Sequence, residues 1–345
     1  MYLFPLHLHE KKLQEAGLSF KYFYSINPAL FNAAQMIVDC NCEKELWRED
    51  AGEMYAFLEQ AKKYCDRLIW LDTTASTSVL RPATLDYVDF YYKGLILRKL
   101  DDYQKPFYSN RIFADYYNRK FGVVDSHEVH TIRITKKEHL KKLKLLWNYS
   151  LAAFFGFRSR LYYKLREFIP LPYFYSVKFT PPQKERPLSI SCRLNTDHRY
   201  RESISYQRKE IIRHLEANFN LESTRVPRKK YYKEMRYAKI GIAPFGGGEI
   251  TYRDFEVIPC GAAMMKPDME HLETWPSLYI KDKTYISHEW DLSDLAAKIK
   301  QHLENKRHIE IAENAQNLYR RYLYSKEGHN EFLERASRIF SFEKD

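Results

Sequence analysis

The residues best equipped for chemistry lie in one stretch, 239–266, reading KIGIAPFGGGEITYRDFEVIPCGAAMMK. A short apolar strand, KIGIA, runs into the triplet Gly246-Gly247-Gly248, and a helix is predicted from Thr251 to Cys260 with Gly261 closing it. Glycines let the backbone take positive φ and come close to a ligand. A helix starting behind them would offer free N–H groups and the positive end of its dipole, which suit a phosphate. Arg253 and Glu256 are spaced i, i+3 and share one helix face, so one ligand could touch both. The cation suits phosphate, and the carboxylate can accept two hydrogen bonds from a cis-diol. The GxGxxG and Walker A patterns are absent, which removes support for dinucleotide and P-loop chemistry.

Other candidates are scattered. Arg193 closes the predicted strand Leu188–Arg193, a second place for a phosphate-facing cation, while Arg225, Arg228, Lys229 and Lys230 read as a solvated turn. In the first half, Asp72 ends the strand RLIWLD and is followed by the hydroxyls of Thr73, Thr74 and Ser76. Asp72 could serve there as a general base, with the hydroxyls holding an acceptor. His127, His130 and His288 read as packing or surface residues. The five cysteines, Cys40, Cys42, Cys65, Cys192 and Cys260, include no CxxC and read as buried thiols of a reducing compartment. No ligand spacing supports a metal, and no Gly-x-Ser-x-Gly or Cys/His arrangement supports covalent hydrolysis.

These residues need elements to hold them. With 345 residues, two domains are expected. The first 130 residues alternate short apolar runs with helical spacing. Strands are predicted at Leu18–Tyr24, Gln35–Cys40 and Arg67–Asp72, and helices at Leu8–Ala16 and Lys44–Tyr64, a βαβ pattern implying a largely parallel sheet. Residues 138–169 keep helical apolar spacing. Five prolines, Pro170, Pro172, Pro181, Pro182 and Pro187, then mark a linker. A second series follows, with strands at Leu188–Arg193, Ser223–Val226, Lys239–Ala243 and Ala262–Lys266. Its helices are Ser205–Asn218, Tyr231–Ala238, Asp291–Asn305, Ile309–Tyr324 and Asn330–Phe340. The division is thus 1–168 for an N-terminal domain with a linker reaching 187, 188–325 for a second domain, and 326–345 for a terminal helix. The fold class is α/β: two Rossmann-like domains facing a cleft, where a ligand is expected.

The run GGGEITYRDFEVIPCGAAMM resembles the donor-binding element of GT-B glycosyltransferases of the group-1 and spore-maturation-like type. The matching residues are Gly246, Gly247, Gly248, Glu249, Arg253, Phe255, Glu256 and Gly261; six residues separate Glu249 from Glu256, where the commonest arrangement has seven. The resemblance is specific over some 30 residues and extends loosely through Tyr319–Phe332, and it implies that 1–168 is the acceptor side, that 188–325 binds the donor, and that the terminal helix over 326–345 packs back on the first domain. It implies that Glu256 binds the ribose hydroxyls of a nucleotide-sugar, that the glycine loop meets sugar or phosphate, and that Arg193 and Arg253 face the phosphates. Glu249 and Asp72 are the catalytic candidates, and Thr73, Thr74 and Ser76 the acceptor contacts. The implied reaction is transfer of a hexosyl or related sugar from a nucleotide-sugar to a glycan or lipid-linked saccharide, as in polysaccharide or lipopolysaccharide biosynthesis. No cofactor and no metal are expected.

Charge adds a partner. The formal charge is +11, and residues 133–166 carry ten Lys/Arg against the single acid Glu138. A basic helix over 136–169, rich in aromatic residues, would suit an anionic membrane surface. That makes the protein cytoplasmic, with peripheral attachment to the inner face of the membrane. The longest apolar stretches fall far short of a membrane span, and the N-terminus does not read as a signal peptide. Two rival functions keep the same residues: a nucleic-acid-binding protein using the basic, aromatic patch, and an inactive GT-B-like carbohydrate-binding protein. No nucleic-acid motif is present, and no nucleic-acid partner is expected.

Overall fold

The computed structural model describes residues 2–23, 33–41, 51–126, 131–152, 177–197 and 201–341. Two separate four-stranded parallel sheets organise them. The first orders β1 (Gln35–Asp39), β2 (Arg67–Asp72), β3 (Phe90–Lys93) and β5 (Leu143–Leu145) side by side. The second runs β10 (Ile286–His288), β8 (Ala263–Pro267), β7 (Ala238–Ile242), β6 (Leu188–Ser191). The α/β class with two Rossmann-like units is therefore the observed architecture.

Local sequence explains each unit. β2 is buried over Leu68–Asp72, as a strand covered on both faces must be. After two short helices, α1 (Phe4–Leu8) and α2 (Glu10–Glu15), helix α3 (Ala51–Tyr64) buries Met54, Phe57, Leu58 and Ala61, one apolar stripe, against that sheet. Helix α4 (Ile112–Phe121) lies in the connection from β3 to β5. In the second unit, α5 (Glu202–Asn218) and α6 (Arg228–Tyr237) connect β6 to β7, and the seven-residue α7 (Asp254–Cys260) connects β7 to β8. Gly261 ends α7 at φ +76°, the left-handed cap that favours glycine.

The units are tied rather than merely apposed. β4 (Leu95–Leu97) of the first pairs antiparallel with β9 (Leu272–Thr274) of the second. Asn148 donates to Thr274 Oγ1 at 2.8 Å and to the Pro276 carbonyl at 2.9 Å. A continuous apolar core joins Ile69, Leu71 and Trp147 to Phe245, Phe255 and Tyr319. Helices α8 (Leu295–Glu304) and α9 (Arg307–Tyr324) complete the second unit. Helix α10 (Lys326–Phe340) crosses to the first unit, where Phe332 packs on Trp147 at 5.1 Å and Arg335 donates to the Leu145 carbonyl at 2.6 Å.

Several elements differ from expectation. Residues 18–23 form no strand, and neither do 223–226. Residues 137–152 are not helical in the α sense: a 3₁₀ stretch (Lys137–Lys142), β5 and a second 3₁₀ turn (Tyr149–Ala152) replace the predicted helix. Their helical spacing of leucines instead serves a short strand at the sheet edge. The remainder of the basic segment, 153–169, along with His127, His130 and Cys42, lies outside the described residues. Residues 177–187 pack on the second unit: the Thr180 amide donates to the Pro259 carbonyl, and the buried Arg186 guanidinium donates to the carbonyls of Ala238 and Cys260. Among the described residues, no helix is long and apolar enough to cross a membrane.

Candidate active site

A cleft of about 800 Å³ opens between the units, where the loops following β2, β6 and β7 leave the carboxyl ends of their strands. That is the expected ligand position in open parallel sheets, and the volume suits a ligand of nucleotide-sugar size. The first unit supplies Tyr2, Asn41, Thr73, Ala75 and Tyr149 to its lining. From the second come Arg193, Arg208, Arg225, Arg228 and Arg253 against a single carboxylate, Glu256. This imbalance makes the described lining cationic and fit for a polyanion.

The arginines are not equivalent. Arg193 is committed: it bonds Glu234 through Nε at 2.9 Å and Nη2 at 2.7 Å, and its Nη1 donates to the Thr224 carbonyl at 3.0 Å. Arg253 donates from Nη2 to the Arg193 carbonyl at 2.7 Å, with its guanidinium 5.2 Å from the Tyr231 ring centroid. Its Nη1 is buried and finds no acceptor among the described residues. An unanswered buried donor costs about 1–3 kcal/mol, which an incoming anionic oxygen would recover. Arg208 donates to the Asn195 carbonyl at 2.7 Å, and Arg228 lies 5.4 Å from the Tyr232 ring. Arg225 and Arg228 are exposed, as the solvated-turn reading has them, and both also line the cleft rim.

Glu256 lies beside them, its Oε2 accepting from Tyr231 Oη at 3.1 Å and its Oε1 from Tyr232 Oη at 2.9 Å. A carboxylate has about four lone-pair sites, so two remain for a ligand diol. Burial and the neighbouring Glu256 push the Tyr232 phenol up to about 12, keeping it a donor. Tyr252 is 51% exposed and packs edge-on to Tyr149 at 5.6 Å, giving the cleft an aromatic wall that sequence reading missed.

The glycine loop works differently from expectation. None of Gly246, Gly247 and Gly248 has positive φ. Gly248 is needed for close approach to protein: a Cβ there would lie 1.8 Å from the Ala75 carbonyl oxygen. Gly247 is the exposed member, its carbonyl accepting from Arg111 Nε at 3.1 Å, while the Gly246 amide closes the turn onto the Gly248 carbonyl. The helix behind starts at Asp254, three residues later than predicted. The amides of Asp254, Phe255 and Glu256 already donate to the carbonyls of Thr251, Tyr252 and Arg253, so they are not free for a phosphate. The cationic work falls to arginine side chains.

Both catalytic candidates are withdrawn from the cleft. Asp72 is 1% exposed and accepts from the Thr74 amide at 2.8 Å, Tyr91 Oη at 2.6 Å and Lys93 Nζ at 3.2 Å, a buried ion pair with no open side. A similar pair, Lys266 with Asp254, is sealed in the second unit. Glu249 is fully buried and reaches across to the first unit, accepting from Thr77 Oγ1 at 2.6 Å, the Thr77 amide at 3.0 Å and Ser76 Oγ at 3.3 Å. Burial opposes its charge, but His271, 3.8 Å away, and the Thr77 donors outweigh it and hold the carboxyl below the usual carboxylate range. Glu249 is thus a clamp between units. The acceptor candidates divide: Ser76 is buried in that clamp, Thr74 Oγ1 is taken by Lys93 Nζ at 2.6 Å, and Thr73 alone faces the cleft, held by Asn41 Nδ2 at 2.6 Å.

The carboxylate near the end of the first strand, given no role by the sequence, lies close to the cleft residues Asn41 and Thr73. Asp39 ends β1, one strand from Asp72, and its Oδ1 accepts from the Asn41 amide at 2.8 Å and Asn41 Nδ2 at 3.1 Å. Burial raises its proton affinity despite those bonds. The signal in the sequence is a strand-terminal Asp with Asn41 two residues on.

No protein-family model matches the chain, and no curated protein sequence does. Solved structures do resemble it. HepE from Anabaena in complex with UDP is 12% identical, with a TM-score of 0.40 over 95% of this chain and 89% of that one. A glycosyltransferase from Rickettsia africae is 11% identical, with a TM-score of 0.41 over 97% and 88%. TarM is 10% identical, with a TM-score of 0.42 over 89% and 54%.

Proposed function

We propose that this chain is a GT-B glycosyltransferase that moves a sugar from a nucleotide-sugar donor to a glycan or lipid-linked saccharide. The observation carrying the proposal is the cationic cleft at the strand ends, where the unanswered Arg253 Nη1 lies on the same helical segment as Glu256. Glu256 takes the ribose diol through its two remaining lone-pair sites. Arg253, with Arg208, Arg225 and Arg228, faces the diphosphate and stabilises the charge that develops on it as the glycosidic bond breaks, so no metal is needed. Tyr252 and Tyr149 bound the donor on the aromatic side. The acceptor enters past Thr73 and Asn41. Asp39, whose Oδ1 is bonded to the cleft residue Asn41 and lies 3.5 Å from Thr73 Oγ1, replaces Asp72 as the general base. Attachment to an anionic membrane rests, among the described residues, on the exposed Lys137, Lys141 and Lys144 of the 3₁₀ stretch and β5.

The test is a thermal-shift and calorimetric screen against UDP, GDP, CMP, ADP and TDP. A nucleotide at 100 times its dissociation constant adds about 2.7 kcal/mol of stability. Arg253→Ala should weaken that binding about ten-fold or more, since a hydrogen bond to a charged group contributes roughly 1.5–3 kcal/mol. If none of the five nucleotides stabilises the protein, or Arg253→Ala binds as tightly as wild type, the donor assignment fails.

A further inference from the structure

A second cavity, of about 160 Å³, lies on the same seam between the units but outside the cleft. Its walls are Tyr117 and Phe121 from the last turns of α4, Tyr206 from α5, and Trp290. Arg111, immediately before α4, donates to Gly247 at the cleft. At about 1.5 Å per residue, the ten-residue α4 places the cavity roughly 15 Å from that loop.

Its floor is chemically unfinished. Tyr117 Oη donates to the Trp290 carbonyl at 3.1 Å, which uses its only proton. Gln207 must then present Nε2 to that hydroxyl, at 2.7 Å, which fixes its amide orientation. Gln207 is 1% exposed, and its Oε1 is left buried with no donor among the described residues. Gln207 lines the cavity, so an O–H or N–H brought there would answer this oxygen.

Size and surface narrow the occupant. A cavity of about 150 Å³ admits one six-membered ring, while whole ligands occupy roughly 300–1,000 Å³. The aromatic faces carry negative quadrupoles that favour polarised C–H groups. The rim carries the Glu210–Arg213 ion pair, at 2.6 Å, and Asp291, which Lys120 and the Ser293 hydroxyl hold, so carboxylate oxygens and guanidinium N–H groups both border the cavity. A ring with an apolar C–H face and hydroxyls at its edge satisfies both surfaces.

We infer that this groove is a saccharide site that holds a single pyranose ring of a glycan outside the cleft. The inference stands on the groove's own residues, independently of the donor reading. Gln207 accepts from a ring hydroxyl, Tyr206 and Phe121 cover the C–H face, and the rim fixes the remaining hydroxyls.

Methyl glycosides of glucose, galactose and N-acetylglucosamine are the probes, read by saturation-transfer NMR and by tryptophan emission, with Trp290→Phe isolating the local signal. At least one glycoside should give a saturable response in the millimolar range that persists when UDP is present. Phe121→Ala and Tyr206→Ala, at solvent-accessible positions, should each weaken it about ten-fold while leaving UDP binding unchanged, and Gln207→Leu should do the same where it folds. No response from any glycoside overturns the site. So does a response displaced by UDP, which would place the sugar in the cleft, one unaffected by both aromatic substitutions, or a response to nucleosides in place of glycosides. UDP binding, measured in the same samples, reports on the cleft separately.

Discussion

Replacing Glu249 by alanine should loosen the two units without touching the cleft lining. The side chain is fully buried, and Thr77 gives it two donors, an amide at 3.0 Å and a hydroxyl at 2.6 Å. Hydrogen bonds to a charged group contribute about 1.5–3 kcal/mol each, so losing both costs roughly 3–6 kcal/mol. An unfolding entropy of about 2.1 cal/mol/K per residue gives roughly 0.7 kcal/mol/K for a chain of 345 residues. The melting temperature should therefore fall by about 4–8 °C for cooperative unfolding. Differential scanning calorimetry reads this directly, and a double-mutant cycle with Thr77→Val isolates the contact. The combined variant should be less destabilised than the sum of the two single changes, by about 1.5–3 kcal/mol. An unchanged melting temperature for Glu249→Ala, or strict additivity with Thr77→Val, would refute the clamp.

Acidification should act on the same contact. Because the folded state holds the Glu249 carboxyl below its ordinary value of 4.5, its stabilisation is complete above that value and fades as pH falls through the lower folded one. The stability gap between wild type and Glu249→Gln should therefore shrink below pH 4.5, and a gap that widens on acidification would contradict the shift. Glu256→Gln should weaken nucleotide binding about ten-fold or more by calorimetry, with the melting temperature of the free protein little changed; equal affinity would remove Glu256 from the donor site. Asp39→Asn should lower turnover by about 10²–10⁴ with nucleotide affinity retained, and full turnover would exclude it as the base. Gly248→Ala should raise protease sensitivity between the units, since its Cβ would collide with the Ala75 carbonyl; unchanged digestion would mean that the loop yields without cost.

Periodicity made the sheets readable. β2 was legible to the residue because RLIWLD is a short apolar run bounded by polar loops, and β1, α5, α9 and α10 followed from similar patterns. The segment around Leu140 to Leu151 misled because leucines three or four apart satisfy a helix and, with equal ease, a 3₁₀ turn feeding a strand. At the site, Arg253 and Glu256 were legible because they share one helix face. The fate of Asp72 and Glu249 was not, because it depends on partners distant in sequence: Lys93 for one, and Thr77, 172 residues away, for the other. A carboxylate at a strand end looks the same in sequence whether it meets a substrate or a buried lysine.

The antiparallel pairing of β4 with β9 also bears on how the chain is made. Leu95–Leu97 leaves the ribosome long before Leu272–Thr274 exists. At roughly 5–20 residues per second, some 180 residues of synthesis leave that edge unpaired for on the order of 10–35 s. An unpaired apolar edge is a template for wrong strands, and the buried face of Trp147 waits still longer for Phe332. The nascent first half must therefore be shielded until the second arrives, and protease digestion of ribosome-stalled chains ending before residue 270 and after residue 330, long enough for β9 to clear the exit tunnel, should show its protection appearing only in the longer set. Equal protection in both would mean that the first half closes its own edge while it waits.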